Sequence, residues 1–411
     1  MSRIQQAYRD LSDSEDFESL TIGVEFEFFA AYRQAATLKS KCDDGDYYLL
    51  PDNQGDAFEH IANEIERATF YRDKVHNQRP GNHRAVPPNT FAYYEKYWTV
   101  KQHEGFMASS SSSHRWHDVE IASPIMNPQD VPARLQPVLD RLKSNFHLGV
   151  SEHCALQVHV GCGSSGFTQE TIKKLATVLW LAQGRLDELY APHRRRDPWA
   201  AGFEEYAIAK DPKYDRILPQ NDSFLYVYWL QDVIDNALEQ GEISRDKAKR
   251  IQLMWEEDSL SKLCGKEILQ PIPSARGSYT EYSGAYSFYN LVQSREGSFY
   301  SFSSSSDDDD DDDYGDDSEN ATIKRTVEFR RPEGTVDADV AAAWCHVFAG
   351  LVEFARGSSQ GNFQRVVGNL LLLPVDSYSL VAFLEQVGCE GGYIEVLLNK
   401  DDPGRLRGRD G

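Results

Sequence analysis

The chain reads as an α+β fold in which a mainly antiparallel sheet keeps one face apolar and packs helices against it. Three observations predict this. Short segments near residues 25, 120, 159 and 328 alternate apolar and polar side chains with the period of a strand. Amphipathic stretches of helical spacing separate them. A length of 411 residues with 40% hydrophobic and 12% aromatic content suits a sizeable core, in one large domain or two closely joined ones.

Taken in order, the first residues are polar, and LTIGVEFEFFA over 20–30 reads as a strand passing through Gly23. Asp56 to Thr69 has helical spacing, with Phe58, Ile61 and Ile65 on one side; Asn77 to Asn89 reads as a loop. Strands over Ala92–Lys101 and Arg115–Pro124 flank the Ser109–Ser113 run, a flexible loop by composition. An amphipathic helix over Asp130–Phe146, a strand over His153–Cys162 and a helix over Thr168–Tyr190 follow, the last capped by Thr168. Helices are expected at Asp222–Gln240 and Ser244–Lys262, then a Gly/Ser/Tyr-rich segment from Pro271 to Ser306. The chain ends with a strand over Thr322–Arg331, a helix over Asp337–Ala355 and a shorter helix near Ser377–Gln386.

The formal charge is −22, which excludes unaided attraction to nucleic acid or to an anionic membrane. Ten of the acids lie between Asp307 and Glu319, so the remainder carries −12. Seven consecutive Asp repel one another and resist burial, so this run is expected to be a disordered insertion in a loop, about 303–320. No run approaches the roughly 20 apolar residues of a membrane span, and the first residues are too polar for a secretory signal. A cytoplasmic location is the expectation. Six Cys without a C-x-x-C pair indicate reduced thiols.

Sorting each strand by parity shows what its polar face carries. Glu25 and Glu27 oppose Ile22, Val24, Phe26 and Phe28; Asp118 and Glu120 oppose Val119 and Ile121. Gln157 and His159 oppose Cys154, Leu156, Val158 and Val160; Thr326, Glu328 and Arg330 oppose Val327 and Phe329. One wet face on an antiparallel sheet is common, but Glu is depleted in strands, and these faces are narrowly acidic. Glu25 and Glu27 would stand roughly 6 to 7 Å apart. At an effective dielectric of about 20 their repulsion is about 2 to 3 kcal/mol, a cost that a cation removes. Carboxylates with one imidazole suit Mg²⁺ or Mn²⁺. Zinc on His153, Cys154, His159 and Cys162 is disfavoured, because parity sends both Cys away from His159.

With GVEFEF at 23–28, EIASPIM at 120–126, CALQVHVG at 154–161 and TVEFRRPEGT at 326–335, the chain resembles the amidoligase family, which is similar to glutamine synthetase and the glutamate-cysteine ligases. The blocks stand in family order across 20–357. The resemblance implies a glutamine synthetase-like catalytic fold over 20–395, its sheet forming a cleft with helices outside, between a polar segment at 1–19 and a tail at 396–411. It implies ATP and Mg²⁺ (or Mn²⁺), with Glu25, Glu27, Glu120, His159 and Glu328 as metal ligands and Arg330 as the phosphate contact. Asn290 matches a family Asn and, with Gln157, is assigned to substrate. Two positions depart from the family: Gln157 replaces a His, and His103 or Glu104 stands where the family has Asp. Lys324 or Arg325 is expected to face the nucleotide or to sit at the sheet edge. Arg194, Arg195 and Arg196 are expected to form a solvated helix end or to gather phosphate, and 275–306 is a candidate lid.

The implied activity is ATP-dependent joining of a small-molecule carboxylate to an amine through an acyl phosphate. Two rival readings stand beside it. A metal-dependent hydrolase would use the same donors without ATP, and a degenerate nucleotide-binding protein would keep the fold without turnover.

Overall fold

The computed structural model describes residues 19–32, 50–51, 54–70, 74–77, 97–103, 115–163, 166–196, 200, 228–264, 269, 286–288, 291 and 325–401. Asn290, Lys324, Glu104, the Ser109–Ser113 run, the acidic run and most of the candidate lid lie outside them.

The architecture is α+β around an open sheet. Strands β1 (Leu20–Tyr32), β2 (Lys74–Asn77), β3 (Tyr97–Gln102), β4 (Arg115–Ala122), β5 (Leu148–Gly149), β6 (Leu156–Cys162), β7 (Tyr286–Ser287) and β8 (Thr326–Phe329) form one sheet. Its order is β2-β3-β4-β1-β6-β8-β7, with β5 pairing β1. Every pairing is antiparallel except β2 with β3. Strand β1 is central: its burial alternates through its first half and is continuous from Phe26 to Ala31, Glu27 included, with β4 on one edge and β5 and β6 on the other. Three short strands, β2, β5 and β7, were not expected from the sequence.

The apolar parity forms the core. Ile22, Val24, Phe26, Phe28, Val119, Ile121, Leu156, Val158, Val160, Val327 and Phe329 are all buried. Helices α1 (Gln54–Ala68), α2 (Val131–Asn145), α3 (Gln169–Leu186), α4 (Tyr228–Glu239), α5 (Arg245–Glu256) and α6 (Leu260–Cys264) precede β7. After β8 come α7 (Ala338–Gly357), α8 (Gln360–Leu372), α9 (Leu380–Gln386) and α10 (Gly391–Leu398). Helix α7 lies against β6 and β1 and packs on α2, α3 and α10; α1 joins α2 to β2 and β3. By length and composition α7 could cross a membrane, contrary to the reading that no run comes near a span. It is instead apolar on all sides because 83% of that stretch is inside the fold.

Helix starts follow the cap rule. Thr168 accepts from the Thr171 amide as expected, and Ser244, Ser359 and Ser379 do the same three residues ahead. Asp337 caps α7 by accepting from the amides of Asp339 and Val340 at 2.9 and 3.1 Å. The fold continues past residue 395: α10 runs to Leu398, and Lys400 is ion-paired with Glu333 over the face of Trp344.

Candidate functional site

Register turns four separate acidic strands into one cluster. In the β1–β4 ladder Glu27 stands opposite Glu120, and in the β1–β6 ladder Glu25 stands opposite Gln157 and Gly23 opposite His159. The β6–β8 ladder sets His159 opposite Glu328, and β3 sets Lys101 opposite Glu120. Gly23 carries no side chain across from His159, which leaves the imidazole room to lean along β1 toward Glu25. The His159 Nε2 lies 3.2 Å from Glu25 Oε1 and 4.0 Å from Glu328 Oε1. Its Nδ1 is 3.4 Å from Thr326 Oγ1. The Nε2 is buried and, despite the short distance to Glu25, is not aligned for a hydrogen bond.

Each buried carboxylate meets a different counterpart. Glu27 Oε2 accepts from the Ala155 amide at 2.7 Å and its Oε1 from Gln157 Nε2 at 2.6 Å. His103 Nε2 approaches the same Oε1 at 3.3 Å. Lys101 Nζ is 2.7 Å from Glu120 Oε1, and Arg330 Nε donates to Glu328 Oε1. Burial, and then the neighbouring charge of Glu25, push the Glu120 carboxyl up to about 8, with Lys101 pulling the other way. Burial works against the Arg330 charge, yet Glu328, Glu25 and Glu27 together raise its pKa. On the same face of β4, burial raises the Asp118 carboxyl while His103 opposes the rise. The cluster is therefore electron-rich and short of positive charge at Glu120.

Among the described residues no three His, Cys, Asp or Glu side chains stand as a ready ligand set. Lys101, Arg330 and the three donors around Glu27 take up the carboxylates in this arrangement. The donor chemistry still fits a hard or borderline divalent ion: four carboxylates and a buried imidazole nitrogen without a hydrogen bond share one sheet face.

All five expected ligand positions, Glu25, Glu27, Glu120, His159 and Glu328, thus lie on one face, and Arg330 joins them. Gln157, assigned to substrate, is held by Glu27. Arg325 is exposed just before β8, against Gly166, and shares the parity of Val327 rather than Glu328. Cys154 and Cys162 are buried and His153 is exposed; Cys162 belongs to the core cluster, whereas Cys154 precedes β6 and lies near the charges of Glu27 and Asp118, contrary to its expected parity. Arg194 departs from both readings of the arginine run. It is 3% exposed and donates from Nη2 to the Arg330 carbonyl at 2.6 Å and from Nε to the Arg331 carbonyl at 3.3 Å.

Lys101 was missed as a site residue by sequence reasoning, whereas His103 is one of the two residues that stand where the family has Asp, and it lies beside Glu27. The alternation Trp98, Thr99, Val100, Lys101 signalled that Lys101 shares a face with polar residues, but only the pairing of β3 with β4 sets it against Glu120. Gly334 also went unremarked. Its amide donates to the Cys154 carbonyl at 2.9 Å, and an added Cβ would lie 2.5 Å from Cys154 Cβ, so a close approach fixes the end of the β6–β8 pairing.

A model of the family described as "Putative amidoligase enzyme" matches residues 18–220. The match takes in β1 to β6 and α3, and stops before β7 and β8. Comparison with curated proteins gives no match.

Proposed function

Residues 18–220 belong to the amidoligase family, and from that premise we propose that the protein is an ATP-dependent carboxylate–amine ligase with a glutamine synthetase-like catalytic sheet. The observation that carries the proposal is the convergence of Glu25, Glu27, Glu120, His159 and Glu328 on one buried face, with Arg330 among them. Glu328 and Arg330 lie outside the matched residues, yet the β6–β8 ladder sets Glu328 directly opposite His159.

In this reading the five side chains would hold Mg²⁺ or Mn²⁺, and Lys101 and Arg330 would then be available to phosphate oxygens. The bound ions would neutralise charge on the β- and γ-phosphates of ATP. A carboxylate oxygen of the substrate attacks the γ-phosphorus, the bond to the β-bridging oxygen breaks, and ADP leaves with that electron pair. The amine then attacks the acyl carbon, phosphate departs, and the nitrogen loses a proton. Arg330 stabilises the transferred group as its charge spreads. Gln157, His103 and the Ala155 amide fix Glu27, so that a ligand is held in place from three directions.

The test is turnover. Purified protein is incubated with Mg-ATP, pooled amino acids and polyamines, and ADP, phosphate and new amides are followed by mass spectrometry. Amide formation coupled to ADP release is expected. Amide or phosphoester cleavage without ATP would instead establish a hydrolase, and nucleotide binding without turnover a degenerate binder.

A further inference from the structure

Strand β8 leaves its ladder at Phe329, the last residue paired with Val158. Arg330, a cation of the cluster beside Lys101, therefore sits where the regular ladder is interrupted, before pairing with β6 resumes one residue out of step, with the Leu156 amide donating to the Pro332 carbonyl at 3.2 Å and Ala155 opposite Glu333. Consecutive carbonyls of an extended strand point to opposite sides. One guanidinium nonetheless takes both the Arg330 and the Arg331 carbonyl, at 2.6 and 3.3 Å. The backbone must turn out of the pleat for that to happen, and Arg194 sits in the turn.

The grip is reciprocal. Arg331, 1% exposed, points to the opposite side from Arg330, pairs with Asp187 at 2.8 Å and lies over the Tyr190 ring at 5.1 Å. Its Nη2 also reaches the Arg195 carbonyl at 3.4 Å. Tyr190 in turn stacks on Trp344 of α7, with ring centroids 5.0 Å apart. The turns at 187–196 are thus bolted to the end of β8 by two buried arginines, one from each side. A buried guanidinium is costly to desolvate, and here two of its charge-assisted bonds go to main-chain oxygens next to the site.

We infer that Arg194 is a positioning residue, whose clamp on the carbonyls of Arg330 and Arg331 sets the direction in which the Arg330 side chain enters the carboxylate cluster. What Arg330 then does for phosphate rests on the proposed ligase reading; the clamp itself does not.

Binding of Mg-ADP is measured by calorimetry for wild type, Arg194→Gln, Arg330→Ala and the double variant, with Arg194→Lys as a charge-preserving control. Exchange of the Arg330 Nε–H is followed in parallel by NMR on arginine-labelled protein. Arg194→Gln is expected to weaken Mg-ADP by about tenfold, the scale of a lost charge-assisted contact. No further loss is expected in the Arg330→Ala background. Arg194→Lys should resemble Arg194→Gln, because a single ammonium does not reproduce the guanidinium fork. The Arg330 Nε–H should exchange faster in both. Equal losses in both backgrounds, full recovery with Lys, or an unchanged Nε–H signal would overturn the inference. Absence of Mg-ADP binding in the wild type would remove the ligase reading, and the Nε–H comparison alone would then decide the clamp.

Discussion

Glu120 is where burial and charge conflict most openly. Its carboxyl is raised from 4.5 to about 8 first by desolvation and then by Glu25, with only Lys101 in opposition. The folded state consequently keeps a proton that the unfolded chain gives up, across the window from 4.5 to about 8. That contribution to stability is complete below the window and is lost as pH rises through it. Melting temperature of the metal-free protein should therefore fall across this range, and Glu120→Gln should flatten the fall; an unaltered slope would show that Glu120 is not the group responsible. At this scale the sequence was informative in part. Parity identified Glu25, Glu27, Glu120, His159 and Glu328 as members of polar faces, because alternation is a local property. Which carboxylate meets Lys101, Gln157 or Arg330 depends on register between strands far apart in the chain, and no local pattern carries that.

Elements were most legible where periodicity was long. Helices α2, α3 and α7 and strands β1 and β4 fall close to their expected bounds. Helix α8 was overlooked although Phe363, Val366, Val367, Leu370 and Leu371 form a buried stripe and Ser359 caps it. Only Ser358 and Ser359 separate it from α7, and two helices so close read as one ending. Strand β7 lies in a Gly/Ser/Tyr-rich stretch and exists because Tyr286 and Ser287 pair with Phe329 and Glu328, a tertiary cause. Two substitutions test how the elements around β8 are fixed. Gly334→Ala puts a Cβ 2.5 Å from Cys154 Cβ and 3.0 Å from its carbonyl carbon. Chemical denaturation should register a loss of about 1 to 3 kcal/mol, with normal stability arguing against the close approach. Asp337→Ala removes the α7 cap and should cost about 1 kcal/mol in the same measurement; a neutral result would mean that water replaces the cap.

For the molecule as a whole, the sheet divides the chemistry. Its core face carries the helices and most of the buried apolar area, while its other face concentrates carboxylates that compact folding alone would disfavour. The strands on which they sit come from distant parts of the chain, and β8 is brought in by β6 and held from the far side by the turns at 187–196. In the proposed reading a divalent ion would offset the repulsion among these carboxylates and so stabilise the arrangement. The most direct measurement is the anomalous difference map of a crystal grown with MnCl₂ and ADP. The account predicts a manganese peak at about 2.0 to 2.4 Å from oxygens of Glu25, Glu120 and Glu328 and from His159 Nε2, with ADP phosphate on its open side. Manganese bound elsewhere, or ADP seated with the carboxylates still paired to Lys101 and Arg330, would contradict it.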